Sequence, residues 1–200
     1  MSKSKLLVLH GALGSKKQLE PLIEELSKTF EVHSLNFSGH GGTSFEQHFS
    51  IQQFAKELET YITLNQLQPI DIFGYSMGGY VALYLASFKP QLINNILTLG
   101  TKFDWSPATA EKEVKMLNPE KIEEKVPAFA KALAQRHAPN DWKEVLSKTK
   151  EMMLDLGQQP ALTGNELSRI KHTVIIGIGS DDNMVSIEES QRFAKMLPNG

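Results

Sequence analysis

A serine set between glycines is the residue of this chain best placed for covalent chemistry. In GYSMGG, residues 74–79, Ser76 follows the apolar run PIDIF and leads straight into YVALYLASF. A hydroxyl on a sharp strand-to-helix turn projects clear of the backbone, where it can attack a carbonyl carbon. In such a turn the residues two before and two after the serine crowd together. Gly74 and Gly78 suit that crowding because they carry no side chain, and Gly79 relieves packing one step on. The N–H of Met77 opens the new helix and points at the atom under attack. An acyl-transfer oxyanion needs a second donor. LHGALGS, residues 9–15, is a glycine loop behind another apolar run and can supply it. Ala12 is the first candidate for that N–H and Leu13 the second.

Rival readings of these glycines are weaker. A serine merely sitting in a glycine-rich turn needs neither the strand before it nor the helix after it. A phosphate-binding P-loop needs Gly-x-x-x-x-Gly-Lys-Ser/Thr, which the chain lacks, and SGHGG at 38–42 has the wrong spacing for a dinucleotide fingerprint.

Elements able to hold Ser76 can be read from the pattern. KLLVLHG, FEVHSLNF, IDIFG, NNILTLG and HTVIIGIG are apolar runs of strand length, and TVIIGIG, apolar on both faces, reads as an interior strand. Between them lie helical stripes: Leu19, Leu22, Ile23 and Leu26, then Ile51, Phe54, Ala55, Leu58, Tyr61 and Ile62, then the segment after Ser76 to about residue 88. A closing helix spans SIEESQRFAKML. Alternation of this kind predicts an α/β fold, a parallel sheet with helices on its faces. From 101 to 170 the alternation stops and the sequence is helical throughout. Asn118 and Pro119 read as an N-cap and first helical residue. Trp142, Val145, Leu146, Thr149, Met152, Met153 and Leu156 share one face, with Gly157 as the stop. A helical block inserted between two strands is suited to lie as a lid over the carboxyl ends of the strands, where such sheets bind ligands. Phe103 and Trp105 follow the fourth strand and are read as walls of the site, and Met152 and Met153 as core packing.

Composition narrows the function. The chain has 200 residues, 21 Lys plus Arg, 23 Asp plus Glu and a net charge of −2, so nothing invites nucleic acid or an anionic membrane. Cysteine is absent, which excludes disulfides and thiolate metal sites. No stretch approaches the ~20 apolar residues of a membrane span, and the start MSKSKLLVLHG is too short in its apolar run for a signal peptide. A soluble cytoplasmic protein of unstated oligomeric state is the expectation.

These segments together resemble the α/β-hydrolase superfamily, of the serine esterase and lipase kind. HGALGS looks like its oxyanion-loop motif and GYSMGG like its nucleophile elbow. NFSGHGGTS looks like its D-x-P-G-H-G-x-S turn, with Asn36 and Ser38 replacing Asp and Pro. GSDDNMVS looks like its acid-bearing loop G-x-x-D-x-x-V-P, with Ser186 replacing the last Pro. The resemblance covers residues 5–100 and 173–197, and the usual first two strands have no counterpart. It implies a core in two parts, 1–100 and 171–200, around a helical lid at 101–170. It also implies a catalytic Ser76 with Asp182 as the acid (Asp181 the alternative), and an oxyanion hole from Ala12 and Met77. Leu13, Phe103 and Trp105 would contact the substrate, a small carboxylic ester or thioester, with no metal or organic cofactor. A C–C bond hydrolase or lyase on the same triad, or a ligand-binding relative without chemistry, are the alternatives.

The same resemblance places the catalytic histidine on a loop after one further strand, and the sequence reaches LPNG where that strand is due. Each of the six histidines has a structural reading instead. His10 and His40 order glycine loops, and His33 and His172 lie at the far ends of strands. His48 is in a solvated loop, and a partly positive His137 suits the end of a lid helix. The expectation is therefore an incomplete version of the fold that lacks its base.

Overall fold

The computed structural model describes residues 3–46 and 48–200. Its centre is a five-stranded parallel sheet in the order β2-β1-β3-β4-β5, built from β1 (Lys5–Leu9), β2 (Glu31–Ser34), β3 (Ile70–Tyr75), β4 (Ile93–Leu99) and β5 (Thr173–Gly177). Chain order reverses between β1 and β3, whose register pairs Leu9 with Gly74. The glycine loop after β1 and the turn carrying Ser76 thus leave the sheet side by side, at the switch point where open α/β sheets hold ligands.

Helices α2 (Ile51–Leu64), α3 (Met77–Phe88), α8 (Gly164–Arg169) and α9 (Ile187–Ala194) pack on one face of the sheet. Leu58, Ile62, Val81, Leu85 and Val174 are buried there. The stripe read for α2 is the observed one: Ile51, Phe54, Ala55, Leu58 and Ile62 are its buried residues, and Ser50 caps its start by accepting the Gln53 N–H at 3.0 Å. The other face is thinly covered. Helix α1 (Glu20–Leu26) shields only its β1 side and buries no residue of its own. An open apolar groove of about 310 Å³ remains between Leu6, Leu26, Phe73, Leu97 and Ile175.

β5 carries the composition of an interior strand. It is the edge of the described sheet, and Ile175 is 59% exposed. Past α9 the chain returns to this edge, where the Asn199 carbonyl accepts the Val174 N–H at 3.0 Å.

Between β4 and β5 the chain forms α4 (Pro107–Val114), α5 (Pro119–Lys125), α6 (Pro127–His137) and α7 (Trp142–Gln158), followed by α8. Asn118 caps α5 as its type and position foretell, accepting the Lys121 N–H at 2.7 Å. Gly157 corrects the expectation of a helix stop, for α7 runs through it to Gln158. The glycine is there for contact: a Cβ would stand 2.5 Å from the Ala110 Cβ and 2.9 Å from the Ser106 carbonyl oxygen. Helix α4 crosses α7 at a distance that only hydrogen permits.

Candidate active site

Ser76 stands at the junction of β3 and α3 with φ 50° and ψ −117°, a conformation an L-residue adopts only under constraint. Strain of this kind costs about 1–3 kcal/mol and survives only where the surroundings over-determine it. Here the Ser76 N–H donates to the Leu99 carbonyl at 2.8 Å. Its carbonyl accepts from the Thr101 hydroxyl at 2.9 Å and the Gly79 N–H at 3.0 Å. The end of β4 thus holds the serine from both sides.

The glycines of the turn are all contact glycines. A Cβ on Gly74 would lie 2.4 Å from the Gly79 Cα and 2.7 Å from the Gly78 carbonyl carbon. One on Gly79 would lie 2.3 Å from the Thr101 Oγ1. Gly78 makes its nearest approach not to β3 but to β1, where a Cβ would meet Leu9 at 2.7 Å and the His10 carbonyl at 2.8 Å. The first turn of α3 is wedged between the ends of two neighbouring strands. Its first amide, that of Met77, has no intrahelical acceptor.

The loop after β1 closes on itself through the Gly14 N–H and Gly11 carbonyl, 3.0 Å apart, with Ala12 and Leu13 at the corner. Leu13 has φ 56°, in the left-handed region that disfavours a branched side chain. Gly11 leaves room for Ser76: a Cβ there would be 3.0 Å from the Ser76 Cβ.

Ser76 and Ala12 line a narrow cavity of about 40 Å³ walled by Met77, Met152, Met153, Trp105 and Met184, among others. Trp105 takes the wall position read from sequence. Phe103 does not. It is 1% exposed and stacks on Phe193 at 5.0 Å, with the Tyr80 ring at 6.2 Å. The backbone explains the difference. Glu189 of α9 accepts the N–H groups of Phe103 and Asp104 at 2.7 and 2.9 Å, which pins this segment to α9 and turns the phenyl ring inward. Met152 and Met153 belong both to the buried face of α7 and to the cavity wall, so core packing and site lining are one position here.

Lys102 and Met184 also line the cavity and carried no signal in the sequence. Lys102 is held among Glu189 at 3.6 Å, Glu113 at 3.8 Å and the Met184 carbonyl at 3.3 Å. A lone lysine after a strand shows nothing of two carboxylates brought in from α9 and α4.

Asp182 lies on the loop after β5. Its Oδ1 accepts the N–H groups of Met184 and Val185, each at 2.9 Å. Its Oδ2 reaches to 3.2 Å from where a Cβ on Gly100 would stand, one residue beyond the carbonyl that receives the Ser76 N–H. The carboxylate therefore faces the carboxyl end of β4. Asp181 is exposed.

The model of the alpha/beta hydrolase fold family matches residues 5–200. The chain belongs to that family. A pimeloyl-[acyl-carrier protein] methyl ester esterase of Neisseria meningitidis serogroup C is 33% identical over 92 residues, which are 46% of this chain and 34% of that protein. An (E)-2-((N-methylformamido)methylene)succinate hydrolase of Acinetobacter baylyi is 30% identical over 108 residues, 53% of this chain and 41% of that protein. The matches thus span well under half of these relatives' lengths. Among solved structures, a thermophilic esterase from Thermogutta terrifontis superposes with a TM-score of 0.72 at 19% identity, covering 99% of this chain and 79% of that one. The α/β hydrolase MGS-M2 from a Medee basin deep-sea metagenome library gives 0.76 at 15% identity, covering 100% and 79%. Such likenesses show the fold.

Within this α/β-hydrolase fold the six histidines are all engaged elsewhere, and none hydrogen-bonds Ser76 or Asp182 among the described residues. His33 meets Glu31, His48 meets Asp155 and His172 meets the Pro90 carbonyl. His10, His40 and His137 form a buried cluster, with ring centroids 5.1 Å apart for His10 and His40 and 5.7 Å for His40 and His137. Hydrogen bonds dictate the protonation of two of them. His10 is bonded to the Gly11 carbonyl through Nδ1 and accepts the Phe37 N–H through Nε2. His137 is bonded to the Leu13 carbonyl through Nε2 and accepts the Gly41 N–H through Nδ1. One nitrogen must donate and the other accept, so each ring is neutral. Burial agrees, lowering both pKa values from 6.5 to about 4, and it lowers His40 well below its usual range. His137 is thus not the partly positive helix-end residue its sequence position suggests. It is a neutral bridge between two glycine loops.

Proposed function

We propose that the protein is a serine hydrolase that cleaves a small carboxylic ester or thioester through an acyl-enzyme on Ser76. One observation carries this: a strained serine at a strand-to-helix turn, opening on an apolar cavity that it shares with Ala12. Strain at a residue whose side chain makes no hydrogen bond among the described residues supports a functional position. Ser76 Oγ attacks the acyl carbon, and the Met77 and Ala12 amides receive the charge that develops on the carbonyl oxygen. Asp182 supplies the carboxylate that would orient an imidazole base to take the Ser76 proton, a base that none of the six histidines of this sequence provides. The helices between β4 and β5 serve as the lid, with α7 laying Met152 and Met153 over the cavity. Flexible thioether side chains there suit an aliphatic acyl or alkyl group, since methionine repacks around ligands at low cost. The ester-cleaving curated relative supports the same bond type.

The test is covalent labelling. A fluorophosphonate probe should modify one residue, Ser76, and the Ser76→Ala protein should remain unlabelled. Equal labelling of the two proteins would sink the assignment. Hydrolysis of p-nitrophenyl acetate and of an acyl thioester, each compared with Ser76→Ala, then separates ester from thioester preference.

A further inference from the structure

Leu13 is held in an unfavourable conformation by residues of the inserted helices. It occupies the second corner of the Gly11–Gly14 turn with φ 56°, where glycine is the residue that fits without cost. Local preference will not keep a leucine there, so tertiary contacts must. Its side chain packs against both the main core and the smaller cluster of Leu133, Trp142 and Leu146 in the inserted helices. Its carbonyl is clamped by two donors on the last turn of α6: Arg136 Nη1 at 2.7 Å and His137 Nε2 at 3.1 Å. His137 is in turn fixed by the Gly41 N–H at 3.1 Å. Arg136 forms no ion pair with a carboxylate among the described residues, and its pKa is lowered by burial. A partly buried guanidinium with no acid beside it finds its hydrogen-bond acceptor in that carbonyl.

We propose that Arg136 and His137 are positioning residues that hold the Gly11–Gly14 turn in its active form, so that seating of the inserted helices and formation of the oxyanion site are one event. This rests on the assignment of Ser76 as nucleophile and Ala12 as oxyanion donor. Releasing the Leu13 carbonyl lets Leu13 relax towards negative φ. The Ala12–Leu13 peptide then rotates, and the corner carrying the Ala12 N–H moves off the serine. Gly11 adjoins Ser76 so closely that an added Cβ would stand 3.0 Å from the Ser76 Cβ, so a shift of the turn reaches the serine. With the inserted helices unseated the site would lack a donor, and a bound acyl group would be attacked only under a closed roof.

Three variants test the coupling: Arg136→Ala, Arg136→Lys, and Lys143→Ala as a control that breaks an exposed pair to Glu123 in the same helical block. The first readout is hydrogen exchange of the Gly14 amide by NMR. The second is affinity for butylboronic acid, which becomes tetrahedral on a serine oxygen, followed by tryptophan fluorescence. Losing a charge-assisted bond should speed Gly14 exchange and weaken the boronate by about tenfold or more in Arg136→Ala. The KM for p-nitrophenyl butyrate, which reports ground-state binding, should stay within about twofold. Arg136→Lys keeps a donor and should recover most of both losses, and Lys143→Ala should change neither. Should Arg136→Ala fail to fold, Arg136→Gln takes its place with the same expectation at smaller size. Unchanged Gly14 exchange or unchanged boronate affinity in Arg136→Ala overturns the proposal, as does an equal loss in Lys143→Ala. If Ser76→Ala binds the boronate as tightly as the parent, the nucleophile assignment fails instead, and Gly14 exchange alone decides whether the clamp exists.

Discussion

Lowering the pH from 7.5 to 5 should strip this fold of several kcal/mol, and the histidine cluster accounts for the loss. His10 and His137 are 1% and 0% exposed, and each has its pKa lowered from 6.5 to about 4, chiefly by burial. In the unfolded chain these rings take up a proton as the pH drops through about 6.5; in the fold they resist until about 4. The unfolded state therefore binds more protons between these limits, and stability rises with pH across that window. Their contribution is fully present above the unfolded value and is lost as the pH falls towards 4. At pH 5 the loss is about 2 kcal/mol for His10 and up to about 2 kcal/mol for His137. His40, lowered by burial first and by His10 second, adds to it in the same direction. Against a typical total of about 5–15 kcal/mol this is a large share. Urea unfolding followed by circular dichroism at half-unit steps from pH 7.5 to 4.5 measures it, provided the denaturant slope stays constant. The expected gradient around pH 5.5 corresponds to the uptake of about two protons or more on unfolding. Uptake of fewer than one proton across the window would refute the neutral cluster. His137→Gln, which can still donate and accept, should flatten the curve by one proton's worth.

Substitutions at three positions probe other parts of the structure. Ser76→Ala should abolish fluorophosphonate labelling with little change in melting temperature, whereas Ser76→Gly should stabilise the fold by about 1 kcal/mol, because glycine adopts φ 50° without strain; a Ser76→Gly protein less stable than Ser76→Ala contradicts the strained turn. Gly157→Ala pits helix propensity, worth about 1 kcal/mol in favour of alanine, against the 2.5 Å collision with Ala110; overpacking should win and destabilise by about 1–3 kcal/mol in urea, and a gain would mean that α4 and α7 are further apart than described. Asp182→Asn should leave the backbone bonds to Met184 and Val185 available, and in a protein that carries an imidazole base beside Ser76 it should lower turnover of an ester substrate by about 10⁴; a loss under tenfold there would remove Asp182 from the acid role.

The parts of the fold legible in sequence were those with a local cause. Alternating strands and helices, the Asn118 cap and the stripe of α2 each follow from periodicity or a short-range hydrogen bond. GYSMGG was legible because its glycines answer a single crowded turn. What sequence concealed depends on which distant element arrives. Gly157 looks like a stop until α4 is laid across it. Phe103 looks like a wall residue until Glu189 takes its backbone amide, and His137 looks like a helix-end cation until two glycine loops bury it. Lys102 joined the site with no sequence mark, since both of its carboxylates come from other elements. β5 carries an interior strand's composition at the edge of the described sheet.

The half-covered face of the sheet has a practical consequence for the bench. Leu97 and Ile175, 39% and 59% exposed, border an apolar trough in the native state. Environment-sensitive dyes report protein melting by brightening on newly exposed hydrocarbon, and here they would find such a surface at room temperature. A dye-based melt would begin from a bright baseline and compress or invert the transition. Ligand screens read that way would reward compounds that displace the dye from the trough rather than those that occupy the Ser76 cavity, so hits should be ranked by an intrinsic signal such as Trp105 fluorescence.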